Sequence, residues 1–447
     1  MVTKEAFARL MRTDALQSVF AFLIKGGAGV ANYIFFALAA RLAGPSAFGA
    51  FSILFSAAMI IGLAGAFGQQ TFLLKEIPRT RAQGLQGEEA GAYRFALLSS
   101  GIASLLGCFV FAGVSLLLPQ RIPAMAIAAG ATLCFLYSMS QVTVAAMRVQ
   151  DRLQLAMGTR DVLWRLLSIA ALSIVGLFLR PGSTVLIGVL AAMLLPITIL
   201  HLGLIRKGFP MSLRDPRIVV LARPWLRMSW GLMLISVIAG ADIYFYTLVI
   251  GYLVPAEEAG ALFAAMKSVE LLSLFLISVT LVITPELSHL LATGDREALQ
   301  QKCKQAIIIQ SLPTIGVSLV IIAAAPLFMW LFNPAYVAQA GVLRILALAM
   351  IVSALTGAGG MLMQLSGLHW RQVVYQGLSL LLGVVSMPFL VNVFGLMGAA
   401  LSFLIAKLVW NVLAAYTIDR HLGVDPSILG LLRRREKGRQ NHNPSGD

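Results

Sequence analysis

Residues 16–40 read LQSVFAFLIKGGAGVANYIFFALAA. As an α-helix these 25 residues are long enough to cross a hydrocarbon core, and they hold one full charge, Lys25, near the midpoint. A lysine at that depth costs about 2.5–3.5 kcal/mol on insertion scales, so it is expected to face a polar interior rather than lipid. Ser18, Lys25, Gly29 and Asn32 fall on one helix face as a small-and-polar stripe. Two readings are open: a packing face whose lysine meets a buried acid, or a cation lining a wet path through a membrane.

The whole chain agrees with a membrane setting. Of its 447 residues 59% are apolar and 12% charged, with mean hydropathy +0.87. Soluble domains carry about 25% charged residues, which makes this a polytopic membrane protein. Lys4, Arg9 and Arg12 before an apolar run, with Ala37-Leu38-Ala39 after it, imitate a signal peptide. Lys25 interrupts the apolar region and the run is too long, so an uncleaved first helix is expected. Cys108 and Cys134 lie in apolar stretches and Cys303 in a basic link, a pattern of ordinary packing rather than a disulfide framework.

Windows of about 20 apolar residues give twelve spans. The first six are 16–40, 47–70, 94–118, 123–146, 162–179 and 183–205, and the second six 227–251, 258–284, 305–330, 336–364, 372–393 and 395–417. Odd-numbered links are short, and even-numbered ones are longer and basic. The basic side, with both termini, holds 27 Lys and Arg; the short links hold only Arg41, Arg121 and Arg180. The remaining four, Lys25, Lys267, Arg344 and Lys407, are assigned to the membrane. That asymmetry predicts both termini in the cytoplasm. It also accounts for the net charge of +15 through topology and anionic headgroups, with no nucleic acid needed. The expected organisation is a cytoplasmic N-terminus (1–15), an N-lobe of six helices (16–205), a cytoplasmic linker (206–226), a C-lobe of six helices (227–417) and a basic cytoplasmic tail (418–447).

The halves repeat. Gly44-Pro45-Ser46-Ala47-Phe48-Gly49-Ala50-Phe51 matches Val254-Pro255-Ala256-Glu257-Glu258-Ala259-Gly260-Ala261, one residue out of step. Met147-Arg148-Val149-Gln150-Asp151 matches Met363-Gln364-Leu365-Ser366-Gly367 in position. Six helices per half keep both halves the same way up, which predicts a pseudo-two-fold axis along the membrane normal and a site between the lobes.

No enzyme site stands out. The extramembrane segments are too short for a soluble catalytic domain, and the five histidines are scattered without metal-ligand spacing. Gly26-Gly27-Ala28-Gly29 lies inside a span, where helix packing explains glycine better than phosphate binding. No cofactor or metal is expected.

The intramembrane charges carry the information. Lys267 and Glu270 are one turn apart on the eighth span, Asp242 is near the middle of the seventh, Arg344 in the outer half of the tenth and Lys407 mid-span in the twelfth. One reading pairs Lys267 with Glu270 and Asp242 with Lys25. The other keeps a surplus of cations for an anionic ligand such as a diphosphate, with Lys25, Asn32, Lys267 and Arg344 binding it and Asp242 and Glu270 balancing charge or carrying a coupling ion. Lys407 is left out of that set as a snorkelling or carbonyl-bound lysine. Pro196, Pro313, Pro388 and the Gly357/Gly359/Gly360 group mark expected bends.

The twelve spans in two halves, the cation inside the first and LAGPSAFGAFSILFS after it resemble the polysaccharide flippases of the multidrug/oligosaccharidyl-lipid/polysaccharide exporter superfamily. The stretch from Gly68 to Arg79 and the run Val342-Leu343-Arg344-Ile345-Leu346-Ala347-Leu348-Ala349 are similar to that family as well. The resemblance implies an all-α, V-shaped pair of six-helix lobes in the bacterial inner membrane. It further implies an undecaprenyl-diphosphate-linked oligosaccharide as cargo, moved to the periplasmic leaflet for O-antigen or exopolysaccharide synthesis, with polymerase and chain-length proteins of the same pathway as partners. A cation-coupled multidrug exporter of the same fold, a membrane glycan polymerase or ligase, and a non-transporting scaffold are the alternatives.

Overall fold

The computed structural model describes residues 4–119, 122–210, 212, 215 and 217–432, with backbone alone at 4–23, 273–282, 285 and 432. The side chain of Ser18 in the polar stripe and the tail beyond residue 432 therefore lie outside the described residues. The described residues form helices and no strand. In order they are α1 (Lys4–Ala43), α2 (Pro45–Gly65), α3 (Gln69–Ala82), α4 (Gln86–Leu117), α5 (Ala124–Arg148), α6 (Leu153–Met157), a π-turn (Gly158–Leu163), α7 (Trp164–Phe178) and α8 (Ser183–Arg206). The second half comprises α9 (Ala222–Gly240), α10 (Asp242–Leu253), α11 (Ala256–Thr293), α12 (Arg296–Ala323), α13 (Ala325–Phe332), a 3-10 turn (Pro334–Gln339), α14 (Ala340–Leu355), α15 (Gly359–Leu365), α16 (His369–Phe394) and α17 (Leu396–Leu422).

Ten described helices are long and apolar enough to cross a membrane, and α9 with α10, bent by 70°, makes an eleventh if counted as one span. The remaining expected span falls on the 38-residue α11, part of whose side chains is outside the described set. Outward-facing apolar side chains, such as Phe109 and Leu177 at 77% and 80% exposure, are what a lipid-facing surface requires. Several helices overrun their expected spans. α4 starts at Gln86, α11 ends at Thr293 and α12 starts at Arg296, so much of the basic linking sequence is helix. Cys303 is accordingly not in a loop but buried in α12, and all three cysteines are free.

The two lobes meet at the end carrying the short links. There α2 crosses α11 at small residues: a Cβ on Gly49 would lie 1.7 Å from the Ala256 carbonyl oxygen, and one on Gly260 would lie 3.0 Å from the Gly49 Cα. Close backbone approach of this kind stabilises helix pairs where lipid offers no hydrophobic drive. Phe36, Phe48, Phe51, Phe55 and Phe263 fill the space beneath, with ring centroids 5.0–6.2 Å apart. Tyr336 donates its hydroxyl to the Pro45 carbonyl (3.2 Å), and the Asn333 amide donates to the Ala40 carbonyl (3.3 Å). Arg41 stacks on Trp330 at 4.1 Å and donates to the Trp330 and Leu331 carbonyls.

Toward the basic-link end the shared core divides. One cluster gathers Phe72, Tyr93, Met147 and Ile205 of the N-lobe, and another Ile283, Leu299, Leu362 and Ile418 of the C-lobe. Toward that end each lobe has a core of its own. Trp225 and Leu232 of α9 pack in the N-lobe cluster, and Trp225 donates its indole N–H to Glu76 at 3.1 Å. The 70° break at Ala241 thus leaves the first half of span seven on the N-lobe, so packing crosses the boundary expected at 227. Gly68, with φ +70°, permits this contact, because a Cβ there would sit 2.7 Å from the Ser229 oxygen, the Met233 nitrogen and the Leu232 side chain.

The internal repeat is visible in the backbone. Asp151 and Gly367 both have positive φ, at 60° and 78°. Arg152 N–H bonds the Met147 carbonyl at 3.0 Å, and Leu368 N–H bonds the Met363 carbonyl at 2.8 Å. Both loops close their helices with the same six-to-one cap. Of the expected bends, the Gly357 group breaks span ten between α14 and α15, whereas Pro196, Pro313 and Pro388 stay inside unbroken helices.

Candidate functional site: a cationic cluster between the lobes

Lys267 is the most buried charge of the group. Its Nζ lies 2.6 Å from Glu270 Oε2 with the ammonium end 1% exposed and the carboxylate 40% exposed. Three rings surround the ammonium, Tyr244 at 4.8 Å, Phe263 at 5.2 Å and Phe36 at 5.4 Å to their centroids. Ring faces replace some of the hydration that the ammonium gives up on burial.

Arg165 reaches the same place from the N-lobe. Its guanidinium stacks on Trp164 at 4.0 Å and lies 5.7 Å from the Phe36 ring and 5.8 Å from Phe35. Lys267 and Arg165 therefore converge on Phe36 from opposite lobes, and Arg165 interacts electrostatically with Tyr137, Tyr244, Arg160 and Glu270. Arg160 lies over Tyr137 at 5.2 Å and bonds Asp161 at 3.2 Å. The π-turn contains Arg160 and ends two residues before Arg165, and its wider i→i+5 turn changes the angle between the two arginines from that of a regular α-helix. His201, fully buried on α8, pins that turn through Thr159 (2.6 Å) and touches Thr143 of α5 (3.4 Å).

Three polar atoms here, Arg165 Nη1, Arg160 Nε and the Asn32 Oδ1, are buried without a hydrogen-bond partner. Buried polar groups are nearly always satisfied, so unpartnered ones at a lobe interface mark where a ligand or water completes the structure. The five ionisable side chains, three cations and two carboxylates, leave a net positive charge.

The residues singled out from the sequence fall in different places. Lys267 and Glu270 form the heart of the cluster. Asn32 is one turn from Phe36 on the same face of α1, and Lys25, two turns further toward the basic-link end, is exposed. Arg344 does not join them. It shares the outward face of α14 with Leu348, is exposed, and donates Nε to the Ile322 carbonyl at 3.2 Å. Asp242 pairs not with Lys25 but with Lys407, the lysine left out of the expected set, at 2.8 Å. Asn411 ties the pair to α14, donating to the Lys407 carbonyl (2.7 Å) and Ser353 (3.1 Å) and accepting from Thr356 (2.8 Å).

The sequence reading misses Arg160 and Arg165 because it starts the fifth span at residue 162, which leaves Arg160 in the link and Arg165 at the helix end, and both count with the basic side. At 18 residues that span is the shortest of the twelve, a signal that the helix begins earlier; the structure starts it at Leu153. Moving both inside lowers the basic-side count from 27 to 25 and leaves the topological asymmetry intact. Among the described residues no His/Cys/Asp/Glu group is arranged to hold a metal.

No family model matches the chain, and no curated protein matches it in sequence. Solved structures do. An inward-facing multidrug resistance MATE family transporter of the MOP superfamily superposes with TM-score 0.73 at 16% identity, over 89% of this chain and 94% of that one. An outward-facing MATE structure gives TM-score 0.62 at 16% identity over 91% and 95%. A MOP superfamily transporter from Pyrococcus furiosus, described as having a binding pocket of reverse polarity, gives 0.61 at 17% over 91% and 95%. The chain has the two-lobed, all-helical fold of MOP superfamily transporters.

Proposed function

We propose that the protein is an alternating-access transporter that moves an undecaprenyl-diphosphate-linked oligosaccharide from the cytoplasmic to the periplasmic leaflet of a bacterial inner membrane. The observation that carries the reading is the Arg165–Lys267 convergence, two buried cations from opposite lobes with guanidinium hydrogens unfilled. A diphosphate supplies both the missing charge and the missing acceptors, and a guanidinium fork suits it. Lys25 and Asn32 lie on the entry face, and the polyprenyl tail stays in lipid. With the interior negative by about 100 mV, exporting two negative charges is favoured by roughly 4–5 kcal/mol, so the membrane potential suffices as a driving force. The basic-link end then faces the cytoplasm with both termini, and polymerase and chain-length proteins act on the exported product.

A multidrug exporter shares the fold, and the 40% exposed Glu270 carboxylate is the feature that would serve a cationic drug. One assay separates the two. In proteoliposomes, wild-type protein is expected to translocate the diphosphate-linked saccharide, and Arg165→Ala and Lys267→Ala each to reduce the rate at least tenfold. Ethidium transport by the wild type with no saccharide translocation would reject the flippase reading, and unchanged saccharide translocation in both variants would reject the cation site.

A further inference from the structure

Beyond the cationic cluster, two cavities abut inside the C-lobe. The smaller, about 100 Å³, begins at the break in span seven beside Asp242; the larger, about 470 Å³, continues to Gln310 and Gln364. Gln376, Lys407 and Trp410 line both, so they form one trough. Its larger part alone lies within the size range of small-molecule sites.

The chemistry of the lining is selective. Asp242 is its one carboxylate, and Lys407 neutralises it at 2.8 Å. An organic cation would want an unpaired acid and a phosphate would want free cations. Carboxamides dominate instead, each able to donate and accept. Gln310 and Gln372 are 4% and 8% exposed, yet both line the trough, and the Ser379 hydroxyl in its smaller part is buried with no partner. Trp410 lies against the bare backbone at Gly360, where a Cβ would be 3.2 Å from its ring and 3.7 Å from Gln372 Nε2. An indole beside several amides, without net charge, fits a neutral polyhydroxylated ligand: hydroxyls meet the amides and the C–H face of a sugar ring meets the indole.

We propose that this trough binds the saccharide part of the cargo, as neutral hexose or N-acetylhexosamine units, while the diphosphate rests at Arg165 and Lys267. This deepens the flippase reading and rests on it. The two places adjoin, because Asp242 lines the trough and Tyr244, two residues on in α10, has its ring 4.8 Å from Lys267 Nζ in the cationic cluster.

The test compares binding of two probes to purified protein in nanodiscs: undecaprenyl diphosphate alone, and the same lipid carrying a neutral tetrasaccharide of hexose and N-acetylhexosamine. The wild type is expected to bind the glycosylated lipid at least tenfold more tightly. Gln364→Leu, Gln376→Leu and Trp410→Leu are expected to bring that ratio close to one, and Trp410→Phe to keep most of it. A diazirine on the terminal sugar is expected to label residues 356–376 and 403–411 of the wild type, a measurement that needs no variant to fold. Equal binding of the two lipids, an unchanged ratio in the leucine variants, or labelling confined to the N-lobe overturns the trough and leaves the flippase reading standing. Binding of neither lipid overturns that reading, and the trough with it.

Discussion

At Arg165 diphosphate binding depends on one guanidinium. Charged hydrogen bonds contribute about 1.5–3 kcal/mol, so Arg165→Ala is expected to weaken undecaprenyl diphosphate binding by tenfold or more, measured by titration in nanodiscs. Arg165→Lys restores the charge but not the planar fork, and should recover only part of that affinity. Asp242 and Lys407 make a different case, since each is the other's counter-charge and both are partly open to the trough. Removing one leaves the other unpaired, so Asp242→Asn or Lys407→Gln is expected to lower Tm in detergent by about 1 °C per kcal/mol lost. The double variant should regain most of the loss, because it leaves no orphan charge. Strict additivity of the two losses would show that the pair contributes no coupling.

Among the elements, the π-turn and the broken seventh span place the site. His201 holds the π-turn through Thr159, so His201→Leu should speed amide exchange over residues 158–163 and weaken diphosphate binding, although His201 is not among the residues of the cationic cluster. Span seven breaks where Gly240 and Asp242, both poor helix formers, flank Ala241, and the Asp242 carboxylate accepts the Ile243 N–H at 2.8 Å. Its first half is tied to the N-lobe by Gln69 to Ser229 (2.9 Å), Gln70 to Ser236 (2.9 Å) and the Trp225–Glu76 bond. Gly68→Ala forces a Cβ into α9 at a positive φ, and is expected to raise exchange along residues 222–240 while α17 keeps its protection.

For the whole molecule, the proposed alternating access makes the balance between inward- and outward-facing states the decisive quantity. The short-link seal combines the Gly49–Gly260 crossing, the phenylalanine plug and the Arg41 and Tyr336 bonds. Gly49→Ala places a methyl group 1.7 Å from a carbonyl oxygen, and Arg41→Ala removes the stack on Trp330. Both are expected to shift the population outward. With Cys108, Cys134 and Cys303 replaced, a cysteine at the buried Ser52 should resist an impermeant maleimide added from the short-link side in the parent and react severalfold faster in either variant. Equal rates would place the controlling contact elsewhere.

Much of this was decided locally and could be read locally. Apolar run length set the spans, lysine and arginine placement set the alternation of the links, and the repeat appeared where two caps use the same backbone bonds at Asp151 and Gly367. Lys267 and Glu270 could be paired from spacing alone because one helical turn determines their separation. Contacts between helices could not be read that way. Asp242 met Lys407 instead of Lys25, Arg344 faced outward, and Arg160 and Arg165 entered the interior, because each depends on helix rotation, a π-turn or a 70° break. A sequence specifies which residues share a helix face; packing between lobes decides what that face meets.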